Sequence, residues 1–380
     1  MSEKPEDLDD LFDLGDPVPT SELVLDRDDF ESDESMKKYF EEHPEAPRSA
    51  YDQYFATSES GEIAVRKSVS ASIEYFIKTR TGDDNSGLPS NNVVQAVYVG
   101  TQYLYALQTR NAAGGADQFI SRFKIAGVSK GSLLTHPDVM KLERCGHGQT
   151  LQWDGGSHFW VVVKATSVNP TYKAGDIDWG TQIGRISFQP GKIDYTKIPR
   201  ISSINRANKS GASFGTLKRC EAALSSNRKY LLIWSQNTAD NAQLAYYWLP
   251  DINSELDKLE SRTPKYLSAG KSPILNRCKD SYAVNNFINN VPGKSTQGIE
   301  FADNFAVYVS SNINGPLVSK GSWKTTNFKK NPVQVNISGL ASGTREGEGI
   351  QLKGDLVYVA VSVHTSSKQH AVVSIPKSAL

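Results

Sequence analysis

The sequence predicts an all-β protein, a five-bladed β-propeller preceded by a short acidic, partly disordered amino-terminal arm. Two observations carry this prediction: hydrophobic alternation with period 2 over most of the chain, and a phrase that recurs five times. In each copy of the phrase a Gln or Glu lies just before a strand, and an aromatic or large apolar residue follows in the next strand. The five polar positions are Gln95, Gln149, Glu221, Gln297 and Glu348, with Glu221 one place out of register.

The alternation begins near residue 66 and predicts short antiparallel strands. Runs of four to eight residues rich in Val, Ile, Tyr, Phe and Trp, such as YLYALQT and LVYVAVSV, are bounded by Gly, Asn, Asp or Ser clusters. Two connections differ: DINSELDKLE favours a short helix, and GKSTQGIE opens with a loop. Little other helix is expected in this region.

Each copy of the phrase continues into a turn and a second strand with a central aromatic residue, and one or two further strands follow. Three to four antiparallel strands in every repeat are typical of one propeller blade, and five copies would close a ring without exposed edges. A β-sandwich is the competing geometry, but it would not require five equivalent phrases. The second-strand aromatic residues in the four close copies are Tyr105, Trp160, Tyr308 and Tyr358.

The change in composition predicts two parts of the chain, with the boundary between residues 65 and 66. Residues 1–65 form the arm, and residues 66–380 form the propeller. Within the arm, SDESMKKYFEEH (32–43) predicts a short helix that ends before Pro44. The first residues lack the layout of a secretory signal peptide, and no run approaches the length of a membrane-spanning helix.

The neutral net charge of the chain hides an uneven distribution. Residues 1–50 contain 17 acidic and 5 basic residues, a net charge of −12, so the remaining 25 acidic and 37 basic residues give the rest of the chain +12. Such asymmetry points to an anionic partner, or to a segment that covers the basic body. Because the basic residues are dispersed and not interleaved with stacking aromatics, nucleic acid is not expected as a partner.

Cysteine and motif usage indicates neither a metal nor a cofactor. Cys145, Cys220 and Cys278 are far apart and have no metal-ligand spacing, so they are buried thiols or form one disulfide plus a free thiol. The motifs of common hydrolases, metalloproteases and nucleotide-binding proteins do not occur.

The recurring Gln and Glu side chains are the first candidates for a functional site. The innermost strand of each blade lines the central channel, so these five side chains would converge there. Amides and carboxylates suit hydroxyl-rich or cationic ligands. The alternative is structural: the same side chains would lock adjacent blades together.

Further candidates are a histidine, a carboxylate and two tryptophans. His147 lies between two glycines and could reach the channel. Glu300, Glu221 and Glu348 are the carboxylates that could supply the pair needed by a glycosidase. Trp179 and Trp323 lie beside loops and could stack on sugar rings.

The order of these tracts resembles the helveticin J family over roughly residues 90–380. The family comprises large, heat-labile class III bacteriocins of lactic acid bacteria. The resemblance is strongest in PRISSINRA and CEAALSS, and the acidic arm has no counterpart. The tracts include YLYALQTR (103–110), GHGQTLQW (146–153), PRISSINRA (199–207), CEAALSSNRKYLLIW (220–234) and GEGIQLKGDLVYVAVSVH (347–364).

The resemblance implies a non-lytic antibacterial protein that acts on related Gram-positive bacteria and is exported without a conventional signal peptide. It carries over no established catalytic residues. We therefore expect a bacteriocin-like protein that recognises a glycan or anionic polymer of the cell envelope. The alternatives are a lectin-like propeller without toxicity and a propeller glycosidase.

Overall fold

The computed structural model describes residues 67–78, 92–110, 112, 114–168, 178–364 and 369–380. Their strands form five sheets arranged around a central axis, which confirms the predicted five-bladed propeller. The arm predicted for residues 1–65, with its short helix, lies outside the described residues.

Each blade is an antiparallel sheet whose strands are numbered along the chain, and four blades carry an additional outer strand. Blade 1 contains β3 (Val94–Val99), β4 (Tyr103–Arg110), β5 (Asp117–Lys124), β7 (Asp138–Glu143) and outer strand β11 (Gly191–Asp194). Blade 2 contains β8 (Leu151–Trp153), β9 (Phe159–Ala165), β10 (Gly180–Ile186), β12 (Arg200–Ser202) and outer strand β16 (Tyr266–Ser268). Blade 3 contains β13 (Leu217–Leu224), β14 (Tyr230–Asn237), β15 (Ala242–Trp248) and β17 (Cys278–Val284). Blade 4 contains β18 (Gly298–Phe301), β19 (Val307–Asn312), β20 (Pro316–Gly321), β21 (Val333–Asn336) and outer strand β1 (Lys67–Ser70). Blade 5 contains β22 (Thr344–Lys353), β23 (Leu356–His364), β24 (Gln369–Pro376), β2 (Ser72–Ile77) and outer strand β6 (Ser132–Leu134).

Helices are short and lie in the connections. The helix predicted in DINSELDKLE is present as α1 (Leu249–Asp257), which has Pro250 in its first turn and buries Ile252 and Leu256. A single helical turn, α2 (Ile274–Arg277), precedes β17. The short 3-10 helices are Thr166–Val168, Tyr195–Lys197, Ile204–Arg206, Phe287–Asn290, Pro292–Lys294 and Lys377–Ala379.

The ring closes by pairing the two ends of the described chain. Strand β2, from the amino-terminal side, pairs antiparallel with β24, so blade 5 is built from both ends. The inner strands contact one another in the order β3, β8, β13, β18, β22 and back to β3. Closure therefore depends on the β2–β24 ladder.

Outer strands link neighbouring blades in a regular way. In blades 1, 2, 4 and 5 the outermost strand is parallel to the fourth strand and comes from the next blade along the ring. In each case the donated strand lies in the segment just before the donor blade's own fourth strand. The connection between β20 and β21 supplies no such strand, so blade 3 ends at β17 among the described residues.

Apolar side chains are concentrated between the blades. Five buried clusters occur, and each combines residues of two neighbouring blades. Trp160 of blade 2 and Tyr247 of blade 3, for example, belong to one cluster and are both fully buried. Burial of such large side chains at every interface stabilises the ring as one unit.

The cysteines are unpaired in the structure. Cys145, Cys220 and Cys278 are free and buried, and burial raises the pKa of the Cys278 thiol to about 11. Buried thiols of this kind behave as small apolar side chains. Among the helices of the described ranges, none is long and apolar enough to cross a membrane.

Candidate functional site at the mouth of the channel

The five recurring side chains come together on the propeller axis. Gln95, Glu221 and Glu348 lie within the inner strands β3, β13 and β22. Gln297 directly precedes β18, and Gln149 stands two residues before the start of β8. All five are buried except Gln297, which is half-buried. We call these five side chains the ring.

Gln149 is the centre of the ring. Its Nε2 lies 2.6 Å from Gln297 Oε1, 3.0 Å from Glu348 Oε2 and 3.3 Å from Gln95 Oε1. Its backbone N–H donates to Glu221 Oε2 at 3.0 Å. Gln149 thus contacts all four other members of the ring, three through its side-chain amide and one through its backbone, and the ring cross-links all five blades on the axis.

Local sequence explains how the ring side chains can meet. The residue after each ring residue is small: Ala96, Thr150, Ala222, Gly298 and Gly349. A Cβ at Gly349 would lie 2.7 Å from Gln95 O, and one at Gly298 would lie 2.8 Å from the Gly349 Cα. Larger residues here would hold the inner strands apart, because these backbones nearly touch.

Backbone irregularities aim two of the ring side chains at the axis. The pairing of β3 with β4 shifts between Val94 and Ala96, and that of β22 with β23 shifts between Gly347 and Ile350. Gln95 and Glu348 stand in these two irregular stretches. A bulge of this kind rotates a side chain out of the regular alternation.

A second group of polar residues stands two positions before ring residues, on the side where the inner strands begin. This side is the mouth of the channel. The group consists of His147, Arg219 and Glu346, of which only His147 was a candidate from the sequence. The signal for Arg219 is the alternation itself, since residues two apart on a strand share a face. The alternation gives no such signal for Glu346, because the pairing of β22 becomes irregular between it and Glu348.

Arg219 belongs to the mouth and donates hydrogen bonds to the ring. Its Nη2 donates to Gln149 Oε1 at 2.6 Å and lies 3.4 Å from Glu221 Oε1, and its Nη1 donates to Thr296 O at 3.2 Å. Its guanidinium lies 4.0 Å from the centre of the Trp179 ring, within cation–π range. Trp179 is therefore part of the mouth.

His147 is held as a neutral donor. Its Nε2 lies 3.0 Å from the carbonyl oxygen Gln95 Oε1, so Nε2 carries the proton. Burial, followed by the positive charge of Arg219, lowers the pKa of His147 to about 3. Its ring meets the Trp179 ring edge-to-face at 4.5 Å.

The glycines around His147 are required for its position. A Cβ at Gly146 would lie 2.6 Å from Gly180 N, and one at Gly148 would lie 2.7 Å from the Val162 Cβ. Gly146 also has φ +79°, a conformation that favours glycine. The backbone of His147 can therefore bridge to Trp179 at the start of β10.

Glu346 completes the mouth on the blade 5 side. Its Oε1 accepts from Gln297 Nε2 at 3.1 Å, and its Oε2 lies 2.9 Å from His364 Nε2. Glu346, Gln297 and Trp179 are half-buried, whereas Arg219 and His147 are buried. These three half-buried side chains are the part of the polar cluster that a ligand at the mouth can reach.

The ring and mouth contain three carboxylate side chains, those of Glu221, Glu346 and Glu348. Arg219 lies beside Glu221, whereas Glu348 and Glu346 contact the side-chain amides of Gln149 and Gln297. Burial raises the pKa of Glu221, although Arg219 and hydrogen bonds from Thr150 and Gln149 oppose the shift. The cluster is thus rich in acceptors and favours ligands that donate hydrogen bonds or carry positive charge.

Glu300 lies deeper, three positions after Gln297 on β18. It is 1% exposed, accepts from Gln152 Nε2, and burial raises its pKa to about 8. Gln152 stands three positions after Gln149 and was not a candidate from the sequence. Glu300 therefore belongs to a separate polar pair below the ring.

Trp323 is remote from the ring. It lies in the connection between β20 and β21, where its Nε1 donates to Asp280 Oδ2 at 2.8 Å and its ring packs against Tyr246 and Tyr282. The structure thus gathers eight of the nine sequence candidates along the axis and separates Trp323 from them. The described residues contain no group of three or more His, Cys, Asp or Glu side chains placed to hold a metal ion.

Solved structures with a similar chain course include two α-L-arabinofuranosidases, but the likeness is distant. An α-L-arabinofuranosidase from Podospora anserina, solved with cellotriose, matches 80% of this chain and 98% of its own at 10% identity and a TM-score of 0.39. A related catalytic domain from Coprinopsis cinerea matches 82% and 97% at 11% identity and a TM-score of 0.39. A likeness at this level transfers neither substrate nor catalytic residues.

Sequence comparison is more specific. Bacteriocin helveticin-J of Lactobacillus helveticus is 26% identical over 237 residues, which cover 58% of this chain and 65% of that protein. The chain thus spans just under two thirds of that relative's length. The family model for bacteriocin helveticin-J matches residues 67–375, nearly the whole propeller. The resemblance noted in the sequence is confirmed, and the chain belongs to the bacteriocin helveticin-J family.

Proposed function

We propose that this protein is an antibacterial protein of the class III bacteriocin type that recognises a glycan of the bacterial envelope at the mouth of its channel. It acts outside the producing cell, and it inhibits related bacteria without lysing them. Membership of the helveticin-J family supports the bacteriocin part of the proposal. The chemistry of the mouth supports the glycan part.

One observation carries the choice of site. Half-buried Trp179, Gln297 and Glu346 surround the opening, while the ring beneath them is closed by its own hydrogen bonds. An aromatic side chain beside amide and carboxylate groups matches a sugar, which has an apolar face and a rim of hydroxyl groups. A closed ring favours binding at the mouth over passage through the channel.

Charge argues for a neutral or amine-bearing glycan at this site. The mouth and ring carry three carboxylates against one guanidinium, so a polyanion would be repelled there. The basic residues that give residues 51–380 a charge of +12 are spread over the rest of the chain. Anionic wall polymers would therefore be attracted to the body of the propeller in a salt-dependent way, without entering the mouth.

A glycan and cell-wall array, probed with the full chain, tests the proposal. We expect saturable binding to one class of envelope glycan, and Trp179→Ala should reduce it about tenfold because a stacking surface is lost. Trp323→Phe is the matched control, since Trp323 lies far from the mouth. Equal binding by wild type and Trp179→Ala would contradict the proposed site.

The two alternatives predicted from the sequence give different outcomes. A lectin-like protein would bind glycans but give no inhibition zone on related bacteria. A glycosidase using Glu221, Glu300 or Glu348 would release reducing ends from purified wall glycans. Binding with inhibition, and without product or loss of cell turbidity, is the result expected for a non-lytic bacteriocin.

A further inference from the structure

We propose that the acidic segment formed by residues 1–50 of this chain binds the outer rim of blade 3. The rim is defined here as the outer edge of β17 together with Arg206, Lys209, Lys271 and Lys279. The site is remote from the channel mouth, and the proposal does not depend on what the mouth binds.

The first support is an interruption in the pattern of outer strands. Four blades end in a parallel strand donated by the next blade, whereas no described strand pairs with the outer edge of β17. The connection between β20 and β21, which occupies the donor position, contacts β17 through side chains instead: Trp323 Nε1 donates to Asp280, and Tyr282 Oη donates to Thr325 O at 3.2 Å. A strand edge with which no described strand pairs favours the addition of another segment.

The second support is the positive charge on the rim. Lys209 Nζ donates to Cys278 O at 3.0 Å, and Lys209 N donates to Ser281 Oγ at 3.0 Å, which fixes Lys209 against β17. Arg206 Nη1 donates to Gly211 O at 3.3 Å, in the same loop as Lys209. These contacts place two cationic side chains beside the edge.

Lys271 and Lys279 extend this charge along the rim. A Cβ at Gly270 would lie 2.7 Å from the Arg206 Cδ, so the backbone next to Lys271 touches Arg206. Lys279 is an exposed residue of β17 itself. Four cationic side chains therefore lie within one stretch of surface.

Two carboxylates near the rim pair with cations that are not part of it. Asp280 pairs with Lys324 at 2.9 Å, and Glu255 pairs with Lys258 at 2.7 Å and with Arg277 at 3.4 Å. The four named side chains of the rim are all basic, and such a surface suits an anionic partner.

The third support is the position and charge of the amino-terminal segment. Strand β1 begins at Lys67 on the outer edge of blade 4, which is the neighbour of blade 3 in the ring. Residues 1–50 carry a net charge of −12. An extended stretch of 20 residues spans about 65 Å, several times the radius of gyration of roughly 20 Å expected for a compact domain of this size. The segment can therefore reach the rim without strain.

Zero-length carboxyl-to-amine cross-linking of the full chain, followed by mass spectrometry, tests this docking. We expect acidic residues of the segment to cross-link to Lys209, Lys271 and Lys279, and not to the exposed Lys124 and Lys197 elsewhere on the propeller. At 1 M salt, where the screening length falls to about 3 Å, these cross-links should decrease several-fold. Cross-links spread evenly over all exposed lysines would overturn the proposal.

A charge-reversal pair tests the same contact by an independent readout. In Lys271→Glu/Lys279→Glu we expect a protease specific for acidic residues to cleave the segment several-fold faster than in wild type. Lys124→Glu/Lys197→Glu is the matched control and should behave as wild type. Unchanged cleavage in the rim variant would contradict the docking, provided that both variants unfold at the wild-type temperature.

Mixing isotope-labelled and unlabelled full chains identifies the source of the segment. Cross-links within one chain are expected. Cross-links found only between labelled and unlabelled chains would overturn the intramolecular contact and indicate exchange between two copies.

Discussion

At the scale of single residues, Gln149 joins the blades on the axis. Its side-chain amide contacts groups from blades 1, 3, 4 and 5, so one side chain links blade 2 to the other four blades. These contacts partly agree with the structural alternative, in which the ring side chains lock adjacent blades together. Most of them join two side chains, however, and fewer join a side chain to the backbone of a neighbouring blade. The part left for a ligand is the half-buried layer above the ring.

Glu300→Gln tests the buried carboxyl below the ring. Burial raises the pKa of Glu300 from 4.5 to about 8, so the native state keeps a proton that the unfolded state loses. Wild-type stability should therefore fall, relative to the variant, as the pH rises from 4.5 to about 8. At about 1.4 kcal/mol for each pKa unit, the upper limit of this change is about 5 kcal/mol.

Urea unfolding at several pH values between 4.5 and 8.5 measures the difference. Glu260→Gln is the control, because the Glu260 side chain is 52% exposed. A Glu300→Gln effect that is constant across this range would show that Glu300 does not hold a proton in the native state.

Arg219→Met tests the ion pair beneath the mouth. It leaves the Glu221 carboxylate, which is 2% exposed, without its cation. Removal of one partner from a buried ion pair costs about 3–5 kcal/mol. The double variant Arg219→Met/Glu221→Gln should lose less stability than the sum of the two single variants, as measured by chemical unfolding of all four proteins. Strict additivity would mean that the two groups do not interact.

At the scale of elements, the recurring phrase predicted the inner strand of every blade. Each inner strand meets the same requirements at the axis, namely a polar side chain that reaches it and a backbone that closely approaches its neighbours. The small residue after each ring residue comes from those requirements, whereas the glycines on either side of His147 identified it as a candidate. The residues Arg219 and Glu346 were missed because the residue two positions before the ring differs from blade to blade, so no repeat identified them. Nor did any local pattern predict the exchanged outer strands, whose pairing is set by the neighbouring blade.

The β2–β24 ladder closes the ring, and a proline tests it. Strand β24 has partners on both sides, so Ala371→Pro removes a ladder hydrogen bond in the middle of blade 5. We expect a loss of about 3 kcal/mol or more, measured by urea unfolding. Lys192→Pro on the outer strand β11 is the control and should cost less. A smaller effect at Ala371 than at Lys192 would contradict the role of this ladder in closure.

At the scale of the whole molecule, two kinds of contact involve different surfaces: directional binding at the channel mouth and electrostatic attraction to the basic body. The ring and mouth are acceptor-rich, the rim of blade 3 is basic, and the amino-terminal segment is strongly acidic. A basic body attracts anionic surfaces at long range, whereas directional hydrogen-bond acceptors at the mouth provide selectivity among ligands. The proposal of a glycan ligand rests on the chemistry of the mouth, and membership of the helveticin-J family supports the proposal of a bacteriocin.

The central claim is that the channel mouth binds an envelope glycan, and one titration tests it most directly. Purified cell-wall glycan fragments are titrated into the full-length wild type and Glu346→Gln at 0.15 M and 1 M salt, with the thermal unfolding of both proteins measured alongside. We predict saturable wild-type binding that persists at high salt, and an affinity about tenfold weaker in Glu346→Gln, equivalent to about 1.4 kcal/mol, at an unchanged unfolding temperature. Equal affinity of the two proteins, or wild-type binding that disappears at 1 M salt, would contradict the claim.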